Sequence, residues 1–284
     1  MVLTPREIID HDRYPIDDLD GDLRRSVVGR IKRELADDGC AVVSNFLSPA
    51  GLDLLLSEAT TRAEHAYHSP NKRCNVYLGD GDPAYADEHP RNTFMDRTNG
   101  FVTADRFDPE TGSRRLYHWE PLMRFIGDCL GKADLYIYDD PISNMIVNVA
   151  RPGEQFNWHF DTNEFTITIL LKAADRGGLF RYAPSLRNPN DECYDDVKEV
   201  LDGGGARVKT LELNEGDLQI FLGRFSLHQV TANDGDHDRL LLIMSFSERP
   251  GMIGSLSRVK ALYGRTTEAH TADDDRVRSD HLLD

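Results

Sequence analysis

The sequence predicts a mostly β fold of the jelly-roll or barrel type, preceded by a helical N-terminal part. Two observations lead to this fold class. Residues 134–265 contain about eight short apolar runs, separated by fairly evenly spaced turns rich in Gly, Pro, Asn and Asp, and this pattern is typical of jelly rolls and barrels. These runs do not alternate with helical segments of about 10–15 residues, so a parallel Rossmann sheet is not expected.

The first 133 residues are predicted to be mainly helical. Apolar residues recur on one helical face over Leu23–Leu35. The pair Ser48-Pro49 is a helix-start signal, because Ser caps a helix and Pro suits its first turn. That helix is expected to end near the segment 68–70. A further amphipathic pattern predicts a helix over Leu116–Leu130.

Eight strands are predicted in the second half of the chain. They are Leu135–Tyr138, Asn144–Ala150, Glu164–Lys172, Leu179–Ala183, Val208–Leu213, Leu218–Leu222, Ser226–Thr231 and Arg239–Ser247. Residues 134–265 are therefore expected to form a β core against which residues 1–133 pack, so that the chain is a single structural domain. Residues 266–284 hold many charges and few apolar groups, and they are expected to be a flexible acidic tail.

Composition and charge exclude several classes of function. The chain has 33 Lys and Arg against 49 Asp and Glu, a net charge of −16, which disfavours binding to nucleic acid or to an anionic membrane. No apolar stretch approaches the roughly 20 residues that span a bilayer, and no signal-peptide pattern is present. The four cysteines are scattered, which is typical of reduced thiols in a cytoplasmic protein.

A pattern of histidine and aspartate residues in the strand-rich half predicts a metal site. His159 and Asp161 are two residues apart, so on an extended segment their side chains point to the same side. His228 lies in another predicted strand. Two imidazoles and one carboxylate are the facial triad of non-heme Fe(II) oxygenases. The common phosphate-binding, hydrolase and zinc-protease motifs are absent from the sequence.

Arg239 is a candidate anion-binding residue. It begins a run that is apolar on both faces, which predicts a buried central strand. A buried guanidinium needs an anion, and a dicarboxylate co-substrate would satisfy it through a bidentate contact. The alternative is an ordinary ion pair with one of the many Asp or Glu residues.

These residues make the sequence similar to the Fe(II)/2-oxoglutarate-dependent oxygenases, whose pattern is His-x-Asp, a later His, and then an Arg. The resemblance covers about residues 134–250 and implies a cupin-like double-stranded β-helix flanked by helices. Residues 157–166 and 223–228 resemble a branch that acts on free, lysine-type amino acids and includes hydroxylases and halogenases. The halogenases have Gly where this chain has Asp161, so the resemblance implies a hydroxylase.

The resemblance also implies the roles of the site residues. The triad of His159, Asp161 and His228 would bind Fe(II), and Arg239 would bind the far carboxylate of 2-oxoglutarate. Thr166 and Thr168 share one face of their strand and would add hydroxyl contacts to the co-substrate; ordinary β-propensity is the alternative explanation for them. With O2, the reaction would release succinate and CO2.

The substrate is expected to be a small molecule, a free amino acid or a close derivative. The resemblance implies that Arg97, in a loop supplied by the N-terminal part, holds its carboxylate; a surface Arg is the alternative. Asp140 is expected to receive a substrate ammonium, or to be a turn residue. Phe156 and Ile243 stand where polar contacts are expected in the lysine enzymes, so a more apolar amino acid is an alternative substrate.

Other functions stay open at this point. Desaturation or ring closure begins with the same hydrogen abstraction as hydroxylation. A cupin-type metalloenzyme that does not use 2-oxoglutarate would share the fold but would not need Arg239. A non-catalytic binding module would use the acidic surface for a basic partner. The oligomeric state is also open, with a homodimer as one option.

Overall fold

The computed structural model describes residues 2–270 and 281–283 of the chain. The helices of this part are α1 (Pro5–Ile8), α2 (Asp22–Asp38), α3 (Pro49–Arg62), α4 (Gly112–Tyr117), α5 (Glu120–Leu130), α6 (Tyr194–Leu201) and α7 (Leu256–Tyr263). Its strands are β1 (Cys40–Val43), β2 (Tyr67–His68), β3 (Arg73–Cys74), β4 (Met95–Asp96), β5 (Gly100–Val102), β6 (Tyr136–Ile137), β7 (Met145–Ala150), β8 (Phe156–His159), β9 (Thr166–Lys172), β10 (Phe180–Ala183), β11 (Lys209–Leu211), β12 (Leu218–Phe221), β13 (Leu227–Val230), β14 (Arg239–Met244) and β15 (Phe246–Ser247).

Two antiparallel sheets form the β core. The larger has seven strands in the order β1-β12-β9-β14-β7-β5-β2, and the smaller has four in the order β11-β10-β13-β8. Neighbours such as β9 and β12 are distant in sequence, as in a jelly roll, where the chain passes repeatedly from one sheet to the other. The strands β3–β4 and β6–β15 form two separate pairs.

The central strands of the larger sheet are buried because they are rich in Val, Ile and Leu. All six residues of β7 are buried, as are the five inner residues of β9. Ile31 of α2, Leu55 of α3 and Ile126 of α5 belong to the same apolar cluster as the inner residues of this sheet. Each such side chain contributes about 1.5–3 kcal/mol through burial, so the helices hold the larger sheet in place behind the site.

The N-terminal part differs from the expected helical layer. It contributes β1 to one end of the seven-stranded sheet, and β5 and β2 to the other end. The strand β1 pairs with β12 in the register Cys40↔Phe221. It was not predicted because only Gly39, in the left-handed conformation that ends α2, separates it from the helix.

The predicted helices are present with changed limits. Ser48 caps α3 as predicted, with its hydroxyl accepting a hydrogen bond from the Gly51 amide at 3.0 Å. The α-helix ends at Arg62 instead of near residue 68. The helix predicted over Leu116–Leu130 is two helices, α4 and α5, because Pro121 in the first turn of α5 cannot continue a preceding helix. Helices α6 and α7 were not predicted.

The expected flexible tail lies partly outside the described residues, which exclude 271–280 and 284. In its described parts two side chains are buried, with His270 1% exposed and Leu282 9% exposed. A segment with few apolar groups can thus still dock through single side chains. Within the described part of the chain, the helices are too short or too polar to cross a membrane.

Candidate metal centre and co-substrate site

The three predicted metal ligands meet at the edge of the smaller sheet. His159 ends β8 and lies directly opposite His228 of the antiparallel strand β13. Asp161 follows two residues later, where its amide donates to the Gly223 carbonyl at 3.1 Å. The Oδ1 atom of Asp161 is 3.5 Å from Nε2 of His228 and 4.0 Å from Nε2 of His159.

Backbone carbonyls orient both imidazoles. The Nδ1 atom of His159 hydrogen-bonds to the Asn157 carbonyl at 2.8 Å, and that of His228 to the Ser226 carbonyl at 3.0 Å. Because a carbonyl only accepts, each Nδ1 carries the proton and each Nε2 lone pair is left for a ligand. Both Nε2 atoms face Asp161, so two nitrogens and one carboxylate oxygen converge on one point.

The Asp161 carboxylate is fixed by its other oxygen. The Thr166 hydroxyl donates a hydrogen bond to Oδ2 at 2.6 Å. Gly223 leaves the space that this carboxylate occupies, since a Cβ at that position would overlap Oδ2. Burial alone would raise the pKa of Asp161, but the neighbouring His228, His159 and Thr166 outweigh it and hold this pKa well below its usual value. The carboxylate is therefore anionic.

The donor set fits a divalent iron ion. Burial, together with the neighbouring imidazole of His228, lowers the pKa of His159 well below its usual value, so His159 is neutral near pH 7, as a metal ligand must be. The ligand atoms of the three residues all lie within 4.8 Å of one another, and the rest of the described chain has no comparable group of His, Cys, Asp or Glu residues. Two imidazoles and one carboxylate favour non-heme Fe(II) with open positions.

Arg239 lies in the same cavity as the triad, without a protein anion. It is 3% exposed, and burial lowers its pKa to about 10. Its Nη1 atom has no hydrogen-bond partner among the described residues, and burial is the only influence on its pKa, with no carboxylate beside it. The alternative of an ordinary ion pair is therefore not supported. Gly178 makes room for this side chain, because a Cβ there would lie 3.0 Å from Cδ of Arg239.

The two threonines on β9 have different partners. The Thr166 hydroxyl donates to Asp161, as described, so in this structure Thr166 supports a metal ligand and does not point to a separate co-substrate contact. The Thr168 hydroxyl donates to Oε1 of Gln219 at 3.1 Å, and these two residues are paired directly across β9 and β12. Both threonines line the cavity.

The cavity between the sheets has a volume of about 1110 Å³. Its charged lining is mainly basic, in contrast with the net charge of −16 for the chain. The arginines in the lining are Arg73, Arg97, Arg239, Arg249 and Arg258, and the acids are Asp80 and Asp161. A basic cavity in an acidic protein concentrates anionic ligands.

Arg97 is buried beside the triad. It is 6% exposed, and its Nε and Nη2 atoms have no hydrogen-bond partner among the described residues. Its guanidinium carbon is 5.7 Å from the centroid of the Phe156 ring. The same ring stacks on the imidazole of His159, with centroids 3.6 Å apart and planes 3° apart. Arg97 is thus a cation without a protein anion, and the Phe156 ring lies between it and the predicted metal ligand His159.

The position of Asp140 does not support the expected contact with a substrate ammonium. It is 0% exposed and does not line the cavity. Its two oxygens accept hydrogen bonds from the amides of Ile142, Ser143 and Gly254, and one oxygen also contacts Nε2 of His270 at 2.9 Å. Asp140 therefore anchors the loop before α7.

Comparison with protein-family models matches residues 97–259 to halogenase D. The chain belongs to the halogenase D family. The match begins at Arg97 and ends within α7, so it includes the triad, Arg239 and most of the residues that line the cavity. A search of curated protein sequences gives no significant match.

Solved structures share the fold of this halogenase D family member at low sequence identity. The epimerase SnoN, described as non-heme and alpha-ketoglutarate-dependent, from nogalamycin biosynthesis, has a TM-score of 0.53 and 16% identity, covering 78% of this chain and 83% of its own. A 2OG-Fe(II) oxygenase family protein from Burkholderia pseudomallei has a TM-score of 0.51 and 15% identity, covering 78% and 91%. AviO1 from Streptomyces viridochromogenes Tue57 has a TM-score of 0.53 and 18% identity, covering 80% and 95%. The predicted jelly-roll fold is confirmed.

Several residues of the site were not predicted. Gln219 fixes Thr168, and its polar side chain in an otherwise apolar strand was the available signal. Arg258 lines the cavity from α7, a helix that the sequence pattern did not reveal. The stacking of Phe156 on His159 has no sequence signal, because it depends on how β8 packs.

Proposed function

We propose that this protein hydroxylates an aliphatic C–H bond of an amino acid or a close derivative. One observation carries the proposal. The buried guanidinium of Arg239, which has no protein anion, opens into the same cavity as a His-Asp-His triad. A dicarboxylate co-substrate needs both groups: a metal ion for its chelating end and a cation for its far carboxylate.

The enzyme class and its cofactors follow from the family, the fold and the triad taken together. The protein is an Fe(II)- and 2-oxoglutarate-dependent dioxygenase, with Fe(II), 2-oxoglutarate and O2 as cofactors, as the sequence predicts. When bound, these would supply the oxidising chemistry, in which 2-oxoglutarate and O2 yield CO2 and succinate, which takes one oxygen atom, while the other oxygen atom is inserted into a C–H bond of the substrate.

The protein's own residues would bind and orient Fe(II) and 2-oxoglutarate. His159, His228 and Asp161 would hold Fe(II) from one side, with Thr166 keeping the carboxylate in place. Arg239 would bind the far carboxylate of 2-oxoglutarate through a charge-assisted, bidentate contact. Thr168, whose hydroxyl donates to Gln219, also lines the cavity. Because these groups are buried, little water can reach the site and react in place of the substrate.

Asp161 supports hydroxylation within a family named for halogenation. Its carboxylate takes the third protein position of the triad and is fixed there by Thr166 and by the space at Gly223. A halogenase of the amino-acid branch needs that position for chloride, and it has Gly there. The carboxylate of this chain would exclude the halide both by occupying the position and by its negative charge.

The lining of the cavity supports an anionic group on the substrate. Burial raises the pKa of Cys74 to about 11, and the nearby charges of Arg97 and Arg258 oppose this rise. The same two arginines act on the buried Tyr263, and both line the cavity together with Cys74 and Tyr263. A carboxylate between them would satisfy the free Nε and Nη2 of Arg97.

The cavity also supports a substrate with an apolar body. Phe156, Leu241 and Ile243 line it, in agreement with a side chain less polar than that of lysine. A volume of about 1110 Å³ exceeds the range of about 300–1,000 Å³ that is usual for small-molecule sites. This space is in agreement with a site that holds a co-substrate and a small substrate together.

A succinate-release screen tests this proposal. Purified protein with Fe(II), 2-oxoglutarate and O2 would be offered free amino acids, their amides and carrier-bound forms, with mass spectrometry of the products. Gain of one oxygen atom is the expected outcome. Loss of two hydrogens would mean desaturation or ring closure, gain of chlorine would contradict the role of Asp161, and turnover without succinate would favour a cupin-type enzyme.

A further inference from the structure

A buried arginine lies behind the triad, on the side away from the cavity. Arg187 is 2% exposed and does not line the cavity. Its guanidinium carbon is 4.0 Å from the ring centroid of Phe160, the residue between the ligands His159 and Asp161. Since neighbouring side chains of an extended segment point to opposite sides, the ring of Phe160 faces backwards while the two ligands face the metal.

Two other contacts of Arg187 reach the segment that leads to His228, the third ligand. Its Nε donates to the Arg224 carbonyl at 2.6 Å, and its own amide donates to the Phe225 carbonyl at 3.2 Å. Residues 224 and 225 lie in the turn between β12 and β13, three to four residues before His228. One side chain thus contacts both of the chain segments that carry the triad.

Glu192 and Arg224 add further hydrogen bonds around Arg187. Glu192 accepts a hydrogen bond from Nη1 of Arg187 at 2.8 Å, and Nη1 also lies 3.3 Å from the Leu283 carbonyl. Nη1 of Arg224 donates to the carbonyl of Thr162, directly after Asp161, at 3.1 Å. The two ligand-bearing segments are therefore linked by two buried guanidinium groups.

We infer that Arg187 is a positioning residue that sets the spacing between the His159–Asp161 segment and His228 before metal binds. The inference rests on the proposed role of the triad as a divalent-metal site. The planar guanidinium stacks on Phe160 while its N–H groups fix the turn before β13. A lysine has a single ammonium group and cannot make both kinds of contact, so Arg187→Lys keeps the charge but removes the link.

Arg24 provides a matched control elsewhere in the molecule. It is 5% exposed, its Nε donates to the Ile16 carbonyl at 2.8 Å, and its Nη2 binds Asp128 at 2.6 Å. Its guanidinium carbon is 5.9 Å from the ring of Phe125. Arg24→Lys therefore removes the same three kinds of contact from a buried arginine between α2 and α5, two helices that do not line the cavity.

The test is anaerobic titration of Co(II), an absorbing substitute for Fe(II), into the metal-free wild type and both variants. Loss of groups that support metal ligands weakens metal affinity by about 10- to 100-fold. We expect Arg187→Lys to bind Co(II) about tenfold more weakly with an altered visible spectrum, and Arg24→Lys to match the wild type. Equal affinities in both variants, or equal losses in both, would overturn the inference.

A second measurement applies if Arg187→Lys does not fold. Glu192→Gln keeps an acceptor but removes the charge that holds Arg187, and it should weaken Co(II) binding in the same direction. In its metal-free form, hydrogen exchange should quicken at the amides of Phe160 and Asp161, which bond to Val76 and Gly223. Unchanged exchange and affinity would contradict the role of Arg187. A wild type that binds no Co(II) would overturn the triad assignment, and the inference with it.

Discussion

Two of the buried clusters of ionisable groups in the described part of the chain differ in how well their hydrogen bonds are satisfied. In the first, Asp140 and His270 are both 0% exposed in their side chains, and each oxygen of Asp140 accepts two hydrogen bonds. In the second, the triad, Arg239 and Arg97 surround a cavity, and polar atoms of both arginines lack partners among the described residues.

The difference separates a structural cluster from a ligand-binding one. A buried polar group without a partner costs about 1–3 kcal/mol of folding free energy, and more if it is charged. Such groups therefore indicate a site where a ligand supplies the missing partners. In the Asp140 cluster, both carboxylate oxygens have protein partners, and these hydrogen bonds fix the loop before α7. The triad cluster leaves its hydrogen bonds open towards the cavity, where metal, co-substrate and substrate would complete them.

Removal of a triad ligand should have the largest effect. We expect Asp161→Ala to lose stoichiometric Fe(II) binding and all succinate release, because the only anionic ligand is gone. The corresponding change in the other cluster, His270→Ala, should keep Fe(II) stoichiometry. Metal analysis of both purified variants measures this, and retention of iron by Asp161→Ala would contradict the assignment.

Breaking the satisfied cluster should have the larger effect on stability. Asp140→Asn replaces one accepting oxygen with an NH2 group, so two of the four hydrogen bonds to the buried carboxylate are lost, at about 1–3 kcal/mol in the free energy of unfolding for each donor left without a partner. Urea unfolding of the metal-free protein measures the loss. Co(II) affinity of the folded variant should stay at the wild-type value, and a stability change below about 1 kcal/mol would mean that the pair is unimportant.

Arg239 should show the opposite behaviour. Arg239→Met removes the partner of the co-substrate carboxylate, so we expect 2-oxoglutarate affinity to fall by about 3 kcal/mol, a factor of roughly 100. The metal-free variant should be as stable as the wild type or more stable, because an unpaired buried charge has been removed. Calorimetric titration and thermal unfolding measure the two effects, and a lower melting temperature with unchanged affinity would indicate a structural role.

Arg97 should affect the substrate only. With a substrate from the screen, Arg97→Met should raise KM by about tenfold, as expected for loss of a hydrogen bond to a charged group worth about 1.5 kcal/mol. Succinate formation in the absence of substrate should not change. A matching loss of 2-oxoglutarate affinity would show that Arg97 belongs to the co-substrate site instead.

The smallest effect concerns pH. Burial alone would raise the pKa of Asp140, but the Gly254 amide, His270 and the amides of Ser143 and Ile142 hold it below its usual value. Its contribution to stability is therefore complete above the ordinary carboxyl pKa of about 3.9 and is lost as the pH falls through the lower folded value. Urea unfolding between about pH 5 and pH 3 should show a steeper decline for the wild type than for Asp140→Asn. Equal slopes would contradict the lowered pKa.

The sequence predicts the β core and the triad because both depend on short-range patterns. The spacing of His159 and Asp161 fixes their shared side, and the apolar run after Arg239 fixes its burial. The pairing of His159 with His228, the partners of Asp140 and the stacking of Arg187 on Phe160 depend on contacts between distant segments. Strand β1 and helix α6 were missed because each is short and its apolar positions, such as Val197 and Val200, form no long periodic pattern.

The central claim is that the triad and Arg239 form one site for Fe(II) and 2-oxoglutarate. The most direct measurement is anaerobic addition of Fe(II) and then 2-oxoglutarate, monitored by the weak visible charge-transfer band of the chelate. We expect the band in the wild type, no band in Asp161→Ala, and a band in Arg239→Met only at a much higher concentration of 2-oxoglutarate. A wild type without the band, or an unchanged titration in both variants, would contradict the claim.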